Sequence, residues 1–345
     1  MCWLRPQSPL GRTGAKNETP SYATCQPGRA VAVEVFSREA PARRPVPSRA
    51  IAGYNDAMHE TFRGSDGAQL SLVIEPGAVG SPTFLFVNGL ACPSFYWDSM
   101  RSAFRGRATL VSFDLKGHGE SGAARSAKGA TIEGCARDAV MALDEARAGD
   151  AVVFGFSMGC QVALEISRLF RDRVAGYVLA LGAYERPFDT VLKGKLGPLP
   201  NAMISTMPEV FVRASMKLGR AAMGTHVAHR MAQRASMVGA RTPFDAMAPF
   251  YEHMGRIDPA TWLSLARSAR DHSAADLLPT INVPTLVITG GLDALTPPAI
   301  GRAMAERIPG ADYLEIPNAT HTGLIDESTA IVGATHRFLA RHSFV

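Results

Sequence analysis

The stretch Ala151-Val-Val-Phe-Gly155-Phe-Ser157-Met-Gly159-Cys-Gln-Val-Ala-Leu-Glu-Ile166 constrains the fold of this chain more than any other. An apolar run breaks at a serine set between two glycines and resumes with helical spacing, which reads as strand, sharp turn and helix. Such a turn forces the serine into a strained backbone conformation. Glycine two residues to either side removes the Cβ atoms that would collide as strand and helix close on each other. The hydroxyl is then pushed out at the tip of a buried strand. The first N–H groups of the new helix, beginning with Met158, point toward whatever that hydroxyl attacks, because helix N-termini carry unpaired donors and partial positive charge.

The rest of the chain supplies a sheet for that strand. Thr61-Phe-Arg63 and Gln69 to Ile74, joined by the Gly64–Gly67 turn, read as a strand pair. Pro82 to Val87, Ala108 to Phe113, Val174 to Leu181, 284 to 290 and Asp312 to Ile316 are short apolar runs of the kind a parallel strand buried on both faces requires. Helical patterns alternate with them, over Ile132 to Ala148, after the elbow, near Pro298 to Ile308 and through Arg341. The expectation is an α/β fold with a doubly wound, mostly parallel sheet, its core in residues 58–182 and 280–345. Residues 183–279 break the rhythm with helical patterns and repeated prolines, and are expected to form a helical cap inserted between two halves of one sheet.

Residues 1–57 differ in kind, with seven prolines and little hydrophobic periodicity, and are expected to be a disordered or irregular leader. They hold no apolar region of secretory type. Met58 is the plainer candidate for the natural start. Of the formal charge of +5, this leader carries four, from eight basic and four acidic residues. The remainder is close to neutral, so a basic surface for nucleic acid is not expected. No run approaches the roughly 18 apolar residues of a membrane span. Five cysteines without CxxC or Cys/His ligand spacing indicate neither a disulfide framework nor a metal site, and point to a reducing, cytoplasmic setting. Cys92 and Cys160 are expected to be small buried packing residues.

A serine hydroxyl is a poor nucleophile at neutral pH and needs a base, which in turn needs an orienting carboxylate. Reacting groups of parallel sheets gather beyond the carboxyl ends of the strands. Asp293, in Gly290-Gly-Leu-Asp-Ala-Leu-Thr-Pro297, and His321, in Pro317-Asn-Ala-Thr-His-Thr-Gly323, each lie just past an expected strand. With Ser157 they give the chain order Ser, Asp, His.

From about Met58 onward the sequence resembles the α/β-hydrolase superfamily in five blocks: Asn88-Gly89 through Trp97, Asp114 through Gly122, the Ser157 elbow, the Asp293 loop and the His321 loop. In those relatives a His-Gly dipeptide follows the third strand, and the next residue's N–H joins that of the residue after the nucleophile as the oxyanion hole. Here Asn88 replaces the His, and the resemblance implies Leu90 and Met158 as the backbone donors. Lys116 stands where relatives more often carry Arg, in a block whose role resembles a structural turn, and His118 is read as structural with it. A serine nucleophile argues against epoxide hydrolase and haloalkane dehalogenase chemistry, which in this fold uses an elbow carboxylate. Gly155-Phe-Ser-Met-Gly159 and Trp97 are also similar to the cofactor-free haloperoxidases, which are esterases. The expected activity is hydrolysis of a small-molecule carboxylic ester, thioester or lactone without cofactor or metal. Acyl transfer on the same triad and a non-catalytic small-molecule-binding role are the alternatives. Eight of fourteen methionines fall in 183–279. Val212, Met216, Met223, Val227 and Met231 recur at roughly helical spacing, and with Trp97 the residues Met216 and Met223 are expected to touch substrate.

Overall fold

The computed structural model describes residues 57–190 and 199–345, with the backbone alone at 217–223. The leader lies outside the described residues except for Ala57. Among the described residues, eight strands form one sheet in the order β1-β2-β4-β3-β5-β6-β7-β8. These are β1 (Met58–Arg63), β2 (Gln69–Glu75), β3 (Thr83–Val87), β4 (Thr109–Phe113), β5 (Ala151–Phe156), β6 (Val174–Ala180), β7 (Thr285–Gly290) and β8 (Asp312–Ile316). β1 runs antiparallel to β2, and β2 antiparallel to β4. Every pairing from β4 to β8 is parallel.

Every residue of β5 and β7 is buried, which explains why the sequence there reads as an unbroken apolar run. Side chains still alternate between the faces, as the two-residue period of a strand demands. Val153 of β5 and Leu85 of β3 enter one apolar core with α2 (Ile132–Glu145) and α3 (Met158–Leu169). Val152, Phe154 and Phe156 enter the other, with α1 (Asp98–Phe104) and α11 (Ser328–Arg341). Helix α2 is capped by Thr131, whose side chain accepts the Gly134 N–H. The sheet is therefore covered on both faces, and its C-terminal edge is the place left for a site.

Between β6 and β7 the described chain is helical: α4 (Leu199–Thr206), α5 (Glu209–Met223), α6 (His226–Arg234), α7 (Phe244–Met254) and α8 (Pro259–Asp271). After β7 come α9 (Pro298–Arg307) and, beyond β8, the short α10 (Gly323–Asp326). The apolar face expected to run from Val212 to Met231 is not one face. Helix α5 ends at Met223, and Thr225 starts a new helix by accepting the Ala228 N–H at 3.2 Å. The period thus resets at Gly224-Thr225: Val212 is buried, while Val227 and Met231 are 70% and 63% exposed. Among the described residues no helix is long and apolar enough to cross a membrane.

Candidate active site

Ser157 sits at the N-cap of α3 with φ 56° and ψ −122°, a conformation rarely adopted by a residue with a Cβ. The surrounding backbone imposes it. The Ser157 N–H donates to the Ala180 carbonyl at 3.1 Å, and its own carbonyl accepts the Cys160 N–H at 3.0 Å. A Cβ at Gly155 would lie 2.7 Å from the Gly159 carbonyl oxygen, and one at Gly159 would collide with the Val87 carbonyl. Side chains at either position would push α3 off the sheet. The loop after β3 closes from the other side, where a Cβ at Gly89 would come within 2.7 Å of the Ser157 Cβ.

His321 and Asp293 complete a chain of hydrogen bonds with this serine. His321 Nε2 is 3.0 Å from Ser157 Oγ, and His321 Nδ1 is 2.8 Å from Asp293 Oδ2. Asp293 is fully buried, and its other oxygen accepts the Leu295 and Thr296 N–H groups at 2.8 and 2.9 Å. The Thr296 hydroxyl lies 2.8 Å from both Asp293 Oδ2 and the Leu181 carbonyl. A carboxylate held by so many donors can only accept, so Nδ1 of His321 carries the proton and Nε2 is left to accept from the serine. Met158 opens α3, so its N–H has no partner within the helix. Among the described residues nothing accepts from the Leu90 N–H.

The Leu90 loop is held through its neighbour. Ala91, at φ 63°, donates its N–H to His118 Nε2 at 2.9 Å, and His118 Nδ1 donates to the Lys116 carbonyl at 2.8 Å. Burial lowers the His118 pKa to about 4, so the ring is neutral and both nitrogens are matched. Lys116 is fully buried in turn, 2.5 Å from Asp138 and 3.5 Å from Asp66.

Above Ser157 lies a cavity of about 370 Å³ lined by Leu90, Met158, Phe188, Leu295 and His321 and by α6 and α7. Among the described residues that line it, none is an Asp, Glu, Lys or Arg. The low polarity shows in the thiol of Cys92, which burial pushes up to about 12. Among the described residues no cluster of His, Cys, Asp and Glu is arranged to hold a metal ion.

Residues 84–334 match the model of the Alpha/beta hydrolase family. This chain belongs to that family. BpoC of Mycobacterium tuberculosis, which carries a non-heme bromoperoxidase name, is 24% identical over 79% of this chain and 98% of its own length. A pimeloyl-[acyl-carrier protein] methyl ester esterase of Neisseria meningitidis is 24% identical over 73% of this chain and 75% of its own. Among solved structures, the esterase EaEST of Exiguobacterium antarcticum superposes with a TM-score of 0.66 at 19% identity, over 82% of this chain and all of that one.

Within this family member, Ser157, Asp293 and His321 come together, and Leu90 and Met158 line the same cavity as the serine. Two other expected residues fall elsewhere, and a third cannot be placed. Trp97 is fully buried beneath the site, its ring packed on Phe86, Phe154 and Phe156, and it does not line the cavity. Met216 is half-buried on α5 away from the cavity, and the Met223 side chain lies outside the described residues. Among the described residues, the methionines that line it are Met158, Met237, Met247 and Met254. Sequence reasoning passed over Thr296, Tyr96 and the His118 contact with the Leu90 loop. Thr296 carries a local signal, three residues beyond Asp293. The other two depend on partners 27 or more residues away or on the cavity itself.

Proposed function

We propose that this protein is a serine hydrolase that cleaves a carboxylic ester, thioester or lactone with an apolar acyl group through an acyl-enzyme. The observation that carries this reading is the hydrogen-bonded chain Ser157–His321–Asp293 at the floor of an apolar cavity. In this reading His321 Nε2 takes the Ser157 proton as Oγ attacks the carbonyl carbon, and Asp293 stabilises the imidazolium that forms. The carbonyl oxygen gathers negative charge between the N–H groups of Leu90 and Met158, which are preorganised and cost no reorganisation during the step. Collapse expels the alcohol, protonated by His321. Water, deprotonated by the same nitrogen, then releases the acid and restores Ser157. The helices between β6 and β7 act as a cap supplying the acyl wall, which suits the esterase name borne by one relative. Steady-state hydrolysis of p-nitrophenyl hexanoate tests the assignment. Asp293→Asn and His321→Ala are each expected to lower kcat on the order of 10³-fold or more. Retention of kcat within tenfold in either variant would remove that residue from the mechanism.

A further inference from the structure

Besides Ser157, Thr296 and Thr322, the described residues that line the cavity include two with a hydroxyl on an aromatic ring, Tyr96 and Tyr251. The Tyr251 hydroxyl lies 2.7 Å from His229 Nδ1, and His229 Nε2 lies 2.9 Å from the Thr242 carbonyl oxygen. A carbonyl oxygen can only accept, so Nε2 carries the imidazole proton, and in the neutral ring Nδ1 is an acceptor. The hydroxyl proton of Tyr251 is thereby committed to His229. Tyr251 lines the cavity, and what its hydroxyl has left to offer a ligand there is oxygen lone pairs. Burial raises the pKa of its phenol, which keeps that proton in place. His229 is itself buried between α6 and α7, so the orientation is built into the fold.

Tyr96 lines the same cavity, and the Phe250 ring packs edge-on against both tyrosines. Tyr96 is 4% exposed, its ring stacks on Phe156 with centroids 4.9 Å apart, and among the described residues its hydroxyl has no hydrogen-bond partner. Phe156 immediately precedes the nucleophile, which puts the Tyr96 ring one aromatic layer from the reacting serine. A plain alkyl chain filling the cavity would leave the Tyr96 hydroxyl without a partner and the free lone pairs of Tyr251 unused, and a buried polar group without a partner is costly.

We propose that Tyr96 and Tyr251 form a recognition point for a hydroxyl or amide N–H carried by the substrate, with Tyr251 accepting that hydrogen. The substrate class is then an ester or lactone that is apolar in bulk and bears one hydrogen-bond donor. The inference rests on the serine hydrolase reading and narrows it.

The test compares each hydroxylated ester with its methyl ether, which keeps the oxygen and loses the donor. The pairs are methyl 3-hydroxyhexanoate and methyl 6-hydroxyhexanoate for the acyl side, and ethylene glycol and 1,4-butanediol monohexanoates for the alcohol side. kcat/KM is read by proton release at constant pH with the full chain. At least one hydroxyl member is expected to exceed its ether by about fivefold, the value of one ordinary hydrogen bond. Tyr251→Phe is expected to bring that ratio to about one, and Tyr96→Phe to reduce it. Equal rates in all four pairs, or a preference that survives both substitutions, would overturn the proposal. Loss of the underlying reading looks different: Ser157→Ala would then hydrolyse the parent esters as the wild type does.

Discussion

Replacing His118 by Gln is expected to remove a pH-sensitive part of the stability and to loosen the Leu90 loop. In the folded protein the neutral ring donates from Nδ1 to Lys116 and accepts the Ala91 N–H at Nε2. A proton on Nε2 would set two donors against each other. Burial is the main cause that lowers its pKa from 6.5 to about 4. The unfolded chain takes up this proton near pH 6.5, and the folded chain resists until about pH 4. Between those values the unfolded state binds more protons, so the contribution is complete above pH 6.5 and is lost as pH falls. At pH 5 the loss from this one group is about 2 kcal/mol. His253, whose ring is 5.7 Å away, is also lowered to about 4 by burial, so the wild-type slope is steeper than His118 alone produces. Urea unfolding at pH 8 and pH 5 separates them. From pH 8 to pH 5 the wild type is expected to lose about 2 kcal/mol more than His118→Gln. At pH 8 the variant should already be less stable by about 1 to 3 kcal/mol. Its kcat should fall on the order of tenfold through the displaced Leu90 N–H, with a smaller change in KM. An equal loss of stability between the two pH values in both proteins would refute the reasoning.

Lys116→Met strands Asp138 as a buried, uncompensated carboxylate, and is expected to cost about 3 to 5 kcal/mol in chemical denaturation; a change below about 1 kcal/mol would show that Asp138 does not depend on it. Across p-nitrophenyl esters from acetate to hexanoate, kcat/KM should climb by up to about fourfold per carbon, because each buried methylene is worth about 0.8 kcal/mol. A flat profile would contradict an apolar acyl site. A chain beginning at Met58 is expected to keep full esterase activity and nearly the same thermal midpoint, and inactivity or aggregation of that shorter chain would show that the leader packs on the domain.

The proposed reacting groups are legible in the sequence because each makes a local demand on the backbone. Ser157 needs glycines at 155 and 159, since a Cβ at either meets backbone of the packed strand and helix. Asp293 and His321 each follow a strand whose apolar run announces where it ends. The strands of the buried sheet are legible for the same reason. What is not local is not legible. Trp97 follows the Leu90 loop in sequence, yet its 3-10 turn, Ser94–Trp97, carries its ring under the sheet and leaves Tyr96 facing the cavity. The methionine periodicity misleads because it runs through Gly224-Thr225, where one helix has ended and a newly capped one begins. The Tyr251–His229 contact joins two helices 22 residues apart, and no period or motif links the two positions.

Labelling with a fluorophosphonate probe asks whether Ser157 is the nucleophile. A single adduct is expected on the full chain, located by peptide mass spectrometry at Ser157. It should be absent from Ser157→Ala, with the thermal midpoint of that variant nearly unchanged, because the hydroxyl contributes chemistry and little packing. Undiminished labelling of Ser157→Ala, or an adduct on another residue, would remove Ser157 from that role.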